Sequence, residues 1–205
     1  MDIYYQILIM KNLLLVLLTL ITFTSFSQKV LRDSVVVKTP MFEIVYSEKL
    51  EQPKFIRYTV QCPNGTAART GMDFYVCDSI KTSDNGDYEK NPYDKGHLAP
   101  AADFNCDKQT LFKTFTYLNC SLQQENLNRT TWRLLEVRER ELAKTHKVVV
   151  VEIRCIFGPK SIKLPTGATV PTAYRKTIKY DKKIEVYYFK NEKPLSTDFT
   201  KYKVK

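Results

Sequence analysis

An α+β domain built round a mainly antiparallel sheet is the fold class this sequence predicts. Three observations carry it: strand-like segments rich in β-branched and aromatic residues open the chain, the middle has helical periodicity, and further strand-like segments close it. With 205 residues there is room for one domain with a real core but little for two. Composition is that of a globular protein, 43% hydrophobic and 26% charged, which excludes a disordered tail or a collagen-like array.

The N-terminus reads as a leader. Met10 and Lys11 precede an apolar run from Leu13 to Phe23, followed by small residues at Ser25 and Ser27. A charged start, an apolar core and a small-x-small site predict a secretory signal peptide over residues 1–27, cut between Ser27 and Gln28. Met10 is an alternative start. The other reading is an anchoring transmembrane helix, but the apolar core falls short of the roughly 20 residues a span needs. A single domain over residues 28–205, secreted or periplasmic and free of the membrane after cleavage, is expected.

FEIVYS and KFIRYTVQ (54–61) read as two strands, and FYVCDSI (74–80) as a third. CPNGTAARTG (62–71) reads as a loop, and KTSDNGDYEKNPYDKG (81–96) as a polar, turn-rich surface segment. CDKQTLFKTFTYL (106–118) is expected to be a short helix. LNRTTWRLLEVRERELAKTHK (127–147) is the long one, with Leu127, Leu134, Leu135 and Leu142 as its buried stripe. Beside that stripe run Asn128, Trp132, Glu136 and Arg140, each four apart. Four residues advance about 400°, so the row drifts only ~40° per step. Either a solvated face or a functional flank would look this way. KVVVVEIRCIF (147–157), TAYRKTIKY (172–180) and KIEVYYFK (183–190) complete the sheet as strands.

The formal net charge is +10, and the leader's one Asp and one Lys leave all of it with the mature domain. That balance favours polyanionic partners: nucleic acid, an anionic cell surface or an acidic substrate. Five cysteines without a C-x-x-C, and only two histidines, argue against a zinc cluster. In an exported chain they predict disulfides with one cysteine left over. Cys62–Cys77 and Cys106–Cys120 are the plausible local pairs. His97 lies in YDKGHLAPAADF, where a scarce imidazole in a polar turn suits a general base or an ordinary turn residue equally.

YDKGHLAPAADF resembles the D-R-G-H signature of the DNA/RNA non-specific endonucleases. The resemblance continues in order. TFTYLNCSLQQENLNRTTWRLLEVRER is similar to the family's S-N-x-x-P-Q…L-N-x-x-x-W-x-x-L-E segment, VVVVEIRCIFGP to its strand ending in G-P, and GATVPTAYRKTIKY to its V-P-x-x-[YF]-x-K strand. ARTGMDFYVCD is similar to the arginine-containing segment upstream. The likeness covers residues 54–190.

It implies a ββα-metal (His-Me finger) nuclease core within a mainly antiparallel sheet flanked by helices. It also implies a metal-dependent endonuclease cleaving DNA and RNA with little sequence specificity and leaving 5′-phosphate ends. His97 then matches the general base, Asn128 the protein ligand to Mg2+ (Mn2+ or another divalent cation substituting), and Glu136 the acid that holds the metal's water. Arg140 and Arg69 match arginines that steady charge on phosphate, and Asn119 a further active-site asparagine. Lys95 stands where the family signature has Arg, keeping the charge on phosphate but losing the two-pronged fork. Leu118 and Leu122 replace the usual Ser and Pro, and Thr130 a usual Gly. Asp94 is expected to brace the turn. Nucleic acid is the implied partner, a homodimer and an inhibitor protein being left open. The alternative is a catalytically weak nucleic-acid-binding protein on the same fold.

Overall fold

The computed structural model describes residues 30–204, so the leader expected over 1–27 lies outside the described residues. The strands, in chain order, are β1 (Val35–Lys38), β2 (Phe42–Ser47), β3 (Gln52–Thr59), β4 (Tyr93–His97), β5 (Cys120–Gln124), β6 (Val149–Ile156), β7 (Ala173–Tyr180) and β8 (Lys183–Lys190). Six of them form one antiparallel sheet in the order β1-β2-β3-β6-β7-β8, while β4 and β5 pair separately. The α+β class holds.

Alternation explains the large sheet. Val149, Val151 and Ile153 of β6 and Tyr174 and Ile178 of β7 point to one face and are buried. Glu152, Arg154, Arg175 and Thr177 take the other face, partly or fully exposed. On the buried face lies the long helix, in three parts: α1 (Lys108–Phe112) precedes it in the chain, then come α2 (Glu125–Leu127), a π turn over Asn128–Trp132, and α3 (Arg133–Thr145). Leu127, Leu135 and Leu142 are buried as expected. Leu134 is only half-buried, and Glu139 takes a fully buried place instead.

Four local expectations are corrected. YDKGH is not a turn but strand β4, paired antiparallel with β5, His97 opposite Cys120 and Gly96 opposite Ser121. The polar strand β5 survives burial because side chains satisfy its backbone. Gln52 Oε1 accepts from Leu122 N at 3.0 Å, and the Leu122 carbonyl accepts from Tyr174 and Asn191. Gly96 is required for space: a Cβ there would sit 2.7 Å from Gln123 Cβ. FYVCDSI forms only an isolated bridge, Tyr75 to Thr116. The expected helix over 106–118 shrinks to α1, capped by Asp107 and followed by a 3-10 turn at Tyr117–Asn119.

The cysteine pairing is the fourth. Cys62 bonds to Cys106, leaving Cys77, Cys120 and Cys155 as thiols. Backbone contacts explain it: Gln61 N and Cys62 N both donate to Asp103 O, and Ala67 N to Asn105 O, so the two segments run side by side. Cys120 and Cys155 are buried, and burial pushes the Cys155 thiol up to about 12.

Candidate active site

Strand β4, the loop after it and the long helix enclose a cleft of about 490 Å³. His97, Asn128, Glu136, Arg140, Arg69 and Lys95 all line it. Six of the seven residues singled out in the sequence therefore meet in one place.

His97 ends β4, with its ring packed between Phe74 (4.6 Å between ring centres) and Phe115 (4.8 Å). The ring is partly accessible, but its Nε2 is sealed from solvent and lacks a hydrogen-bond partner. Burial, and then the Arg69 guanidinium, hold the imidazole down at about 3, so it is neutral across the physiological range.

The seventh residue, Asn119, is fully buried and does not reach the cleft. Its Oδ1 accepts from Ala99 N at 2.8 Å, and its Nδ2 donates to Ala99 O and Thr114 O. With every amide position occupied, it acts as a clamp on the backbone just beyond His97. The structure therefore places Asn119 behind the cleft, and not among its lining residues as the resemblance implied.

Across the cleft the π turn matters. Its i→i+5 bonds advance less per residue than α bonds. The eight residues from Asn128 to Glu136 would overshoot two turns by about 80° in a regular α-helix. The wide turn takes up much of that excess and lets both side chains face the same space. Trp132, expected on this flank, is instead fully buried beneath it. Asp94 Oδ2 accepts from Asn128 Nδ2 at 2.9 Å, which fixes the amide and leaves its carbonyl oxygen as the available donor atom. Asp94 also grips Arg129 through Nε and a terminal nitrogen. It thus orients a cleft residue, a larger part than bracing a turn.

Burial pushes the Glu136 carboxyl up to about 7, against the pull of Lys176 and Arg140. The Trp132 indole nitrogen lies near enough to favour the charged form but outside hydrogen-bond geometry. Arg140 donates to buried Asp103 at 2.9 Å, leaving the rest of its fork toward the cleft. Burial and Glu139 push Asp103 up, and Arg140 counters them. Lys95 is held by Asp73 at 3.0 Å and by Asn85. Among the described residues, Arg69 and the unforeseen Arg133 line the cleft without a carboxylate partner. Five cationic side chains and one carboxylate in the lining make the space attractive to a polyanion.

A neutral imidazole, an oriented amide oxygen and a water-accessible acid in a basic cleft match the pattern implied by YDKGH and LNRTTW. A family model described as DNA/RNA non-specific endonuclease matches residues 22–205. The chain belongs to that family. Endonuclease G, mitochondrial, of Bos taurus is 32% identical over 100 residues, covering 47% of this chain and 33% of that protein. The mitochondrial nuclease of Saccharomyces cerevisiae is 34% identical over 106 residues, covering 45% of this chain and 32% of that protein. The matched segment spans about a third of the length of these relatives. A chain in the crystal structure of the EndoG/EndoGI complex shares the fold, with a TM-score of 0.73 and 23% identity, over 83% of this chain and 80% of that one. Family membership accounts for the ββα arrangement here: β4 and β5, separated in the chain by α1, pair and are followed by the long helix, and these elements carry His97 and Asn128.

The missed residues left weak signals. Arg133 looked like one more charge on a helix. Asp103 sat in an apolar stretch, PAADF, where a lone acid needs a partner.

Proposed function

We propose that the chain is a metal-dependent endonuclease that hydrolyses phosphodiester bonds of DNA and RNA with little sequence specificity. The convergence of His97, Asn128 and Glu136 on one basic cleft carries this reading. Among the described residues there is no cluster of three His, Cys, Asp or Glu side chains around a common point. The donor set suits a hard cation that keeps most of its waters: the Asn128 carbonyl oxygen would bind Mg2+ directly and Glu136 through water. When bound, such an ion neutralises the phosphoryl oxygens and the departing 3′-oxygen.

The chain's own residues do the rest. His97 takes the proton of the attacking water. An approaching phosphate anion raises its basicity from the depressed value toward the ordinary one. Asp94 holds the Asn128 amide so that oxygen, not nitrogen, faces the ion. Arg140, braced by Asp103, and Arg69 steady the charge on phosphorus as it gains a fifth oxygen. As the P–O3′ bond breaks, the departing oxygen takes a proton from solvent, giving 5′-phosphate and 3′-hydroxyl ends, and His97 returns its proton to solvent. Lys95, already engaged by Asp73 and Asn85, contributes charge to the cleft more than a direct grip. Binding through phosphates explains low sequence preference and predicts a steep loss of affinity with salt.

The apolar N-terminal run and the Cys62–Cys106 disulfide both support export to an oxidising compartment, periplasmic or extracellular. The relatives' names place those proteins in mitochondria.

The test is digestion of plasmid and total RNA by residues 28–205, with Mg2+ or EDTA, beside His97→Ala. Metal-dependent cleavage of both substrates is expected, with the variant slower by about 10³-fold or more. Folded wild type and variant that are equally inert over a wide range of salt and metal would end the hydrolytic reading and leave a nucleic-acid binder.

A further inference from the structure

Beneath the cleft lies a charge pair sealed from solvent. Lys176 Nζ stands 2.5 Å from Glu139 Oε1, and both side chains are wholly buried. Tyr58 donates to the other carboxylate oxygen at 2.7 Å. The three residues come from β7, α3 and β3, so the pair ties the helix to strands on either side of β6. Burying two charges is costly, and such pairs are often replaceable by neutral residues without loss of stability. Stability alone therefore does not account for this one.

Its placement does. Trp132 lies four residues before Glu136, and Glu139 three after. Lys176 touches both, with Nζ 4.3 Å from the centre of the Trp132 ring. One ammonium thus spans the helical turn that carries Glu136. On the cleft side the next residue, Arg140, is drawn to Asp103. The turn is gripped from below by Lys176 and from one flank by Asp103, and Glu136 is the acid left facing the cleft.

We propose that Lys176 is a positioning residue for Glu136: its ammonium, fixed between Glu139 and Trp132, sets the depth and rotation at which that carboxylate enters the cleft. This rests on the role given to Glu136 above. It reaches a residue two strands away from the helix's own sequence, on a strand with no atom in the cleft lining.

The decisive comparison is wild type, Glu139→Gln, and Glu139→Gln with Lys176→Met, in residues 28–205. The double variant removes both charges together, so neither is left buried and unpaired. Its melting temperature is expected within about 5 °C of wild type. Its kcat on plasmid DNA is expected to fall about 10- to 100-fold, the scale seen when a supporting partner is lost, with KM changed less than threefold. Glu139→Gln alone, which leaves the Lys176 charge buried without its partner, is expected to melt lower than the double variant and to lose kcat as well. Trp132 is the only tryptophan, so its emission reports the ammonium directly and should change in the double variant.

A double variant with wild-type kcat would overturn the proposal, as would unchanged Trp132 emission. So would a double variant that does not fold, because the pair would then serve folding. Glu136→Gln separates this from the wider reading. If that variant keeps full activity, the role of Glu136 fails; if it is inactive while the double variant is fully active, only the Lys176 proposal fails.

Discussion

The six-stranded sheet and the β4–β5 pair are both antiparallel, yet they are specified in different ways. Strands β6, β7 and β8 alternate buried and exposed residues, and each is recognisable from its own eight residues. The β4–β5 pair reads YDKGH and CSLQQ and is half-buried or buried along its length. Its backbone is satisfied by Gln52, Tyr174 and Asn191, residues 50 or more positions from β5. The large sheet is a product of local pattern, the small one of tertiary partners. The imidazole proposed as the base, His97, sits on the second kind, where polar side chains line the cleft.

If that contrast is right, the β4–β5 region should fail before the large sheet does. The largest effect is expected from Cys62→Ser with Cys106→Ser. The bond closes a separation of 44 residues, which in the chain-entropy account is worth about 4 kcal/mol. Denaturant midpoints should fall accordingly, and amide hydrogen exchange should accelerate in residues 61–106 before β6 and β7. Uniform acceleration would break the comparison.

Asp94→Ala comes next. Freed from Asp94, the Asn128 amide can turn, and cleavage is expected to slow about 10- to 100-fold with little change in melting temperature. Then comes Gly96→Ala. The new methyl would meet Gln123 across the strand pair, at a cost of about 1–3 kcal/mol. Gly158, where a Cβ has nothing within 4 Å, is the control and should tolerate alanine within about 0.5 kcal/mol.

The smallest effect depends on pH. Burial lifts Glu136 from 4.5 to about 7 in the folded state. Below the unfolded value both states are protonated. Between 4.5 and about 7 the unfolded chain ionises while the folded one resists, so this group's contribution to stability is lost as pH rises through that window. Glu136→Gln in EDTA should therefore gain stability over wild type from pH 4.5 to 8, levelling near about 1–2 kcal/mol after allowance for partial exposure. The same titration predicts that wild-type kcat/KM rises through neutral pH as the carboxylate forms.

Legibility in the sequence follows the same division. Leu127, Leu135 and Leu142 were visible from periodicity, and His97, Asn128, Glu136, Arg140, Arg69 and Lys95 from a resemblance that placed them in one cleft. Asp94 and Asp103 were not legible as partners, because an ion pair across 35 or 37 residues leaves no local trace. Asn119 was recognisable as special, but not the direction in which its amide points. The cysteine pairing failed for a related reason: short local bridges look economical in sequence, while the actual bond follows a backbone pairing between 61–67 and 103–105. The π turn left no signal in hydropathy at all.

The Cys62–Cys106 bond also changes what a protease can do. Every residue between the two cysteines, including Arg69, Asp94, Lys95, His97 and Asp103, sits inside one covalent ring. The stretch 68–71 is exposed and offers the natural place for a cut. A single scission there opens the ring without releasing a fragment, so the N-terminal piece, with β1, β2 and β3, stays tethered to the piece that carries His97 and the long helix. Such a nicked molecule would run as one piece until a reductant is added, and two thereafter. Wherever proteases are plentiful and thiols scarce, that is a form of damage tolerance.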